Sequence, residues 1–283
     1  MSLDSPGTLA QLAKRIKEDI DAYSVKVFDD GPREHLGASI IGHPCARYSW
    51  STFRWIYHKK YTGRMYRLFE RGKLEEARFI KLLRGIGFEV WETTEDGEQH
   101  RVIMAQGHGG GSLDGVIRFP QDYDIDEPLL VEFKTNGTGR GFTELKRGVT
   151  LAKPIHFAQM SLYGYKYNLQ YALYMNVNKN DDDIHIEIVK LNWILGRELE
   201  TKMGHIIASQ EPPAKIAESP AYFECKYCDY VDHCHNQRMP DKNCRSCVNA
   251  KPIVDAKWHC VFWEQVIPTE FIKQGCGEWK GII

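Results

Sequence analysis

Between Leu129 and Thr135 the chain reads Leu-Leu-Val-Glu-Phe-Lys-Thr, an apolar run broken at alternate positions by opposite charges. No other segment constrains the fold as much. Residues two apart on a strand share a face, so Glu132 and Lys134 stand together while Val131 and Phe133 pack behind them. The run predicts a strand inside a sheet, with a carboxylate and an ammonium side by side. Upstream, Gly110-Gly111-Ser112-Leu113-Asp114-Gly115-Val116-Ile117 reads as part of a second strand. Paired antiparallel with the first, it brings Asp114 onto Glu132. Two carboxylates meeting there make a hard, oxygen-rich pocket suited to Mg2+ or Mn2+, with the Phe133 carbonyl as a further ligand. The plainer alternative is a solvated strand face, which is what an isolated Glu-x-Lys most often is.

The flanking sequence supplies a setting for that strand. Leu9, Leu12, Ile16 and Ile20 recur at helical spacing behind Ser5-Pro6 and predict a short amphipathic opening helix with a structural role. A long helix is expected over 64–84, stopped at Gly85-Ile86-Gly87 and followed by strands over 88–92, 101–105, 112–119 and 129–134. A helix over 153–168, strands over 171–178 and 184–189 around a turn at 181–183, and a helix over 195–209 complete the pattern. The order is mixed α/β with a central sheet rather than a regular βαβ repeat.

At 283 residues the chain can bury a full core. Its 37 Lys and Arg against 38 Asp and Glu give no global positive field, so attraction to a polyanion must come from a local patch. Such a patch lies over 45–73, where Arg47, Arg54, Lys59, Lys60, Arg64, Arg67, Arg71 and Lys73 face the lone acid Glu70. Aromatics are interleaved: Tyr48, Trp50, Phe53, Trp55, Tyr57, Tyr61, Tyr66 and Phe69. The mixture suits a phosphate backbone with stacked bases. The alternative is an amphipathic helix pair whose aromatics are core and whose charges are merely solvated. No apolar run approaches the roughly 20 residues of a membrane span, and Met1 to Gly7 lack the basic start and apolar centre of a secretory signal. A reducing, cytoplasmic compartment is expected, where eight cysteines argue for metal binding or redox chemistry rather than disulfides.

An Asp followed by Glu-x-Lys at the end of an apolar strand resembles the PD-(D/E)XK nuclease superfamily. The surrounding residues resemble its branch of RecB-type and CRISPR-associated iron-sulfur exonucleases and related phage exonucleases. In that branch an upstream helix carries Gly-x-x-x-(His/Glu), matched by Gly72 and Glu76 with Glu75 as the fallback. A downstream helix carries Gln-x-x-x-Tyr, matched by Gln159 and Tyr163, which share a face with His156. The resemblance spans roughly 45–234. It implies a restriction-endonuclease-like core, a central mixed sheet flanked by helices, and a metal-dependent DNA exonuclease of recombination, repair or phage DNA processing. Glu76, Asp114, Glu132 and the Phe133 carbonyl would hold Mg2+ or Mn2+. The metal would polarise a scissile phosphate and lower the pKa of a bound water, with Lys134 orienting that water or offsetting charge on the phosphate. Gln159 and Tyr163 would touch the phosphate or brace the ligands. The implied partner is DNA with a free or single-stranded end, guided by the basic stretch and by Arg140, Lys146, Arg147 and Lys153. A single-strand-binding or recombination protein is a second implied partner, and self-association is left open. Two alternatives stand beside this reading: a structure-specific endonuclease of the same fold, and a non-catalytic nucleic-acid-binding module. Clustered acids speak against the module, since a binder has no need of them where phosphate must sit.

Cys225-x2-Cys228-x5-Cys234 supplies three clustered thiolates and wants a fourth. In the iron-sulfur members of the branch the fourth is a distant N-terminal cysteine followed by Arg and aromatics, which Cys45 and Arg47 match. The resemblance thus implies a structural 4Fe-4S cluster on Cys45, Cys225, Cys228 and Cys234, with Zn2+ on the same thiolates as the alternative. The remaining Cys244-x2-Cys247, Cys260 and Cys276 make a tetrahedral thiolate set for a small Zn2+ knot. His235 and His259 are substitutes, but His259 adjoins Cys260 and cannot easily share an ion with it. Similar tails resemble those of phage-encoded members. With the change of composition after Glu211-Pro212-Pro213, the expected organisation is a lead-in over 1–40, a nuclease domain over 41–235 and a metal-binding tail over 236–283.

Overall fold

The computed structural model describes residues 6–137 and 139–283, and every structural statement below concerns those residues. In chain order the strands are β1 (Leu36–Gly37), β2 (Glu89–Trp91), β3 (Arg101–Met104), β4 (Gly109–Ser112), β5 (Gly115–Arg118), β6 (Leu129–Asn136), β7 (Tyr171–Asn178) and β8 (Ile184–Lys190). Three more lie near the C-terminal end: β9 (Ala250–Pro252), β10 (Trp258–Cys260) and β11 (Gln265–Ile267). The central sheet has the order β2-β5-β6-β7-β8. Its β6 and β7 run parallel and its other neighbours antiparallel. The fold is therefore mixed α/β with a mixed sheet flanked by helices, as the sequence predicts. Smaller sheets are formed by β1-β4-β3 and by β9, β10 and β11.

Alternation along β6 and β7 sorts their side chains. Leu129, Val131 and Phe133, with Leu173, Met175 and Val177, face Phe79, Ile80 and Leu83 of the helix Gly63–Gly85. Phe79 stacks on Phe133 with ring centroids 5.2 Å apart. The opposite face carries Leu130, Ala172 and Tyr174 against Met160, Leu162 and Tyr163 of the helix Pro154–Tyr167, and beyond them Leu199 and Met203 of the helix Trp193–Ala208. Each fully buried side chain of this kind contributes about 1.5–3 kcal/mol. The long helix begins at Thr62, whose hydroxyl accepts from the Met65 N–H at 3.4 Å. The opening helix Pro6–Phe28 packs against it, although Leu9, Ile16 and Ile20 are exposed. Ser5, read as the start of that helix, lies outside the described residues.

One expected strand is two. Over 112–119 the chain changes sheets: β4 ends at Ser112 in the small sheet and β5 begins at Gly115 in the central one. Gly115 has φ +152°, a backbone turn that side-chain-bearing residues rarely adopt. Leu113 is buried in the link, and Asp114 turns its carboxylate to the β6 backbone.

The segment 236–283 is not set apart in space as its composition suggests. Trp258 is fully buried with its ring centroid 5.2 Å from that of Phe53. Cys247, Ala250, Ile272 and Ile282 belong to the same apolar cluster as Trp50 and the central sheet. Among the described residues no helix is long and apolar enough to cross a membrane.

Candidate active site

Strand β6 places Glu132 and Lys134 on the same face, and they form an ion pair through Oε1 and Nζ. The other oxygen of Glu132 accepts from Gln159 Nε2 at 3.3 Å. Gly115 pairs with Val131 across β5 and β6, so the preceding residue, Asp114, is carried to the neighbourhood of Glu132. Its Oδ2 accepts from the Phe133 N–H at 2.7 Å. Glu76 arrives from the long helix, three residues before the Phe79 that packs on β6. The four positions read from the sequence are thus brought together. Glu75 turns instead to Arg78 at 3.3 Å and Arg71 at 3.8 Å.

The electrostatics follow from three acids sharing one ammonium out of water. Burial first, then the charge of Asp114, pushes Glu76 up to about 7, against the pull of Lys134 and Lys73. Burial also raises Glu132, with Asp114 and Glu76 adding to it and Lys134 opposing. Asp114 is raised by burial against Lys134 and the Phe133 N–H. Lys134 overcomes its own desolvation and is held in the charged form by Glu132 and Asp114. The surplus of negative charge and the oxygen-only donor set suit a hard divalent cation. Among the described residues no group of three or more His, Cys, Asp or Glu side chains is placed so that it could hold a metal ion, so the fit is one of donor type and charge.

Behind the acids, burial and then Glu132 and Asp114 raise the Tyr163 hydroxyl. That hydroxyl lies over Gly111, where a Cβ would have no room. His156 Nδ1 bonds the Tyr174 hydroxyl at 3.0 Å. Burial, Lys134 and Lys153 push His156 down to about 3, so it is neutral at physiological pH. Asn176 Nδ2 donates to the same hydroxyl at 3.2 Å. The sequence reading missed Tyr174 and Asn176, although a signal was there. They alternate with Leu173, Met175 and Val177, and in the parallel register they sit opposite Glu132 and Lys134. A groove of about 400 Å3 runs past the site, lined among others by Arg33, Phe69, Lys73, Glu76, Lys134 and Thr135.

All eight cysteines are free thiols, and they fall into two spatial sets. Cys45, Cys225, Cys228 and Cys234 line a common pocket. Arg47 Nη1 donates to Cys234 Sγ at 3.6 Å, and the Tyr230 N–H donates to Cys228 Sγ at 3.4 Å. In the second set, the Cys247 N–H donates to the Cys244 carbonyl at 3.0 Å, and Cys260 pairs with Ala250, whose N–H donates to the Cys247 carbonyl at 3.2 Å. Cys244 is pushed up to about 11 by burial and then by Cys276, Cys247 and Cys260.

No family model and no curated protein matches the chain. Solved structures do. The crystal structure of LHK-Exo in complex with dAMP is similar over 68% of this chain and 91% of its own, with a TM-score of 0.45 and 16% identity. The structure of the alkaline exonuclease LHK-Exo from Laribacter hongkongensis matches over 68% and 91%, with a TM-score of 0.43 and 19% identity. The structure of SSO0001 is similar over 80% of this chain and 98% of its own, with a TM-score of 0.46 and 13% identity.

The basic stretch divides sharply. Arg54, expected on DNA, is fully buried and donates to the Ala250 and Cys247 carbonyls at 2.9 Å each, so it cannot meet a phosphate. Arg47 is likewise taken up by Cys234 and by the Pro213 carbonyl at 2.6 Å. Lys59 pairs with Asp229 at 2.8 Å and Arg67 with Asp21 at 2.7 Å, while Arg71 bonds the Lys179 carbonyl at 3.1 Å. Lys60, Arg64, Lys146 and Arg147 are exposed, and no ion pair engages them among the described residues. The side chain of Arg140 lies outside the described residues. Of the aromatics, Trp50, Phe53, Trp55 and Tyr66 are core, as the plainer alternative has it. Phe69, 44% exposed, stands at the groove.

Proposed function

We propose that the chain is a Mg2+- or Mn2+-dependent deoxyribonuclease that hydrolyses DNA from an end in recombination, repair or phage DNA processing. The observation that carries the reading is the convergence of Glu76, Asp114 and Glu132 on Lys134, with Gln159 bonded to Glu132. A divalent ion on Glu76, Asp114, Glu132 and the Phe133 carbonyl would polarise the phosphate and lower the pKa of an attacking water. Lys134 keeps its proton and lies where it offsets charge developing on the phosphate. Gln159 fixes the Glu132 carboxylate, and Tyr163 closes the back of the site. Lys60, Arg64, Lys73, Lys146 and Arg147 supply the free positive charge for the backbone, and Phe69 offers a face on which a base can stack.

The first cysteine set fits a 4Fe-4S cluster in donor chemistry: the four sulfurs line one pocket and the Arg47 guanidinium offsets their charge. There the cluster would join residue 45 to residues 225–234 and hold the two ends of the domain together. A single-strand-binding or recombination protein is the proposed partner in the cell.

The deciding experiment compares end-labelled linear DNA with covalently closed circular DNA, each with Mg2+, Mn2+ or EDTA. Degradation of linear DNA alone, dependent on metal, is the expected result. Cleavage of the circle makes the protein an endonuclease. Binding without cleavage by folded, metal-supplied protein makes it a binding module and ends the nuclease reading.

A further inference from the structure

Two arginines are buried in the core without a carboxylate partner. Arg54 is 0% and Arg245 2% exposed, and no ion pair engages either among the described residues. Each places its two terminal nitrogens on backbone carbonyls: Arg54 on Ala250 and Cys247, Arg245 on Phe53 and Glu34. Each Nε lacks an acceptor among the described residues. Their flat faces are sandwiched by aromatics, Arg54 over Trp50 and Trp258, Arg245 over Phe53, Trp55 and Trp258. The two cations repel each other, and Glu34, whose field reaches Arg245, is exposed and offers only its carbonyl. Cation–π contacts do not neutralise two adjacent buried charges, and an uncompensated buried ion is strongly destabilising. A nearby source of negative charge would relieve that cost.

The second cysteine set is the neighbouring group of the right chemistry, although its sulfurs, like the acids, are not gathered to hold an ion among the described residues. Arg245 lies inside the Cys244-x2-Cys247 turn, Arg54 bonds the Cys247 carbonyl, and the field of Cys247 acts on Arg54. The turn is closed by the Cys247 N–H donating to the Cys244 carbonyl at 3.0 Å. Backbone N–H groups reach both of its sulfurs, Gly275 to Cys244 and Lys280 to Cys247 at 3.4 Å, the kind of outer support that metal-bound thiolates receive. A divalent ion with four thiolates carries two net negative charges, which match the two guanidiniums. We propose that Cys244, Cys247, Cys260 and Cys276 hold one zinc-class ion as a four-thiolate site, and that this site is the counter-ion of Arg54 and Arg245. The ion thereby sets the stability of the Ala46–Phe53 helix, which lies in the main core and not in the tail. The proposal stands independently of the nuclease reading.

The test uses full-length protein. Zinc and iron are counted per chain in wild type, Cys244→Ser and Cys276→Ser, and zinc retention is titrated against a chromophoric chelator in Arg54→Gln, Arg245→Gln and Arg245→Lys. The serine variants should lose the zinc and keep any iron. The two glutamine variants should hold zinc about thirtyfold or more weakly, as expected when one partner of a buried charge pair is removed, and Arg245→Lys should lie between them and wild type. Unchanged zinc in Cys276→Ser, or unchanged retention in both glutamine variants, overturns the proposal. Should the glutamine variants fail to fold, amide exchange of the wild type decides the matter. Stripping zinc should speed exchange across 46–53, and acceleration confined to 244–283 overturns the coupling.

Discussion

Oδ2 of Asp114 accepts the backbone N–H of Phe133 at 2.7 Å, so an acid in the link between two sheets is fixed to the strand that carries the other acid and the lysine. Charge and anchoring can be separated at this position. Asp114→Asn keeps an acceptor and loses the charge, so cleavage should fall by roughly two orders of magnitude or more while the melting temperature in EDTA holds or rises. Asp114→Ala loses the anchor as well and should destabilise the fold by about 1–3 kcal/mol. Full cleavage by either variant would remove Asp114 from the catalytic set.

Lys134 is the cation shared by the acids, so its loss should be felt most without metal. Lys134→Ala should lower the melting temperature in EDTA, and Mg2+ should raise it by a larger increment than in wild type, because the ion then relieves more repulsion. Thermal melts with and without Mg2+ measure both. An equal Mg2+ increment in the two proteins would contradict the shared-charge picture.

Glu76 gives the metal-free protein a pH signature. Its folded pKa of about 7 lies above the ordinary 4.5, so the stabilising protonated form is fully present below about 4.5 and is lost as pH rises through about 7. Melting temperature in EDTA should therefore fall across that window. Glu76→Gln should flatten the fall, and a slope unchanged by the substitution would locate the effect elsewhere.

The fit of the Tyr163 hydroxyl over Gly111 predicts a non-additive pair. Gly111→Ala should be strongly destabilising, because its methyl group would occupy the hydroxyl's place and also meet the Ala38 methyl at 3.2 Å. Tyr163→Phe makes room, so the double variant should be more stable than the sum of the single effects by about 0.5–3 kcal/mol. Strict additivity in denaturant melts would show that the two do not touch.

Protein purified without oxygen should be brown, with about four iron atoms per chain, and should bleach in air. Cys225→Ser should abolish the colour. Colourless anaerobic protein holding zinc in place of iron would assign the first cysteine set to zinc.

Strand β6 was legible because its message is local: period-two alternation alone puts Glu132 beside Lys134 and Phe133 behind them. Glu76 and Gln159 were legible only through the resemblance of their helices to the nuclease motifs, with helical spacing adding that Gln159 shares a face with His156 and Tyr163. Asp114 was placed correctly even though its strand was drawn too long, since one backbone turn at Gly115 changes the sheet without moving the acid away from β6. Arg54 was misread for the opposite reason. Its partners, the carbonyls of Cys247 and Ala250, lie more than 190 residues along the chain, and nothing near position 54 distinguishes a buried guanidinium from one waiting for phosphate. The packing of the last segment was hidden for the same reason, because cysteine spacing says nothing of the Trp258 that inserts into the main core.

The burial of Trp50 and Phe53 beside Trp258 also governs the order of events at synthesis. On a ribosome adding about 5–20 residues per second, roughly 10–40 s separate the making of position 50 from that of position 258. For that interval the early helix presents an uncovered aromatic face to the cell. That face should make the growing chain prone to chaperone binding until position 258 has been made, and truncation before it should yield a product that collapses or aggregates.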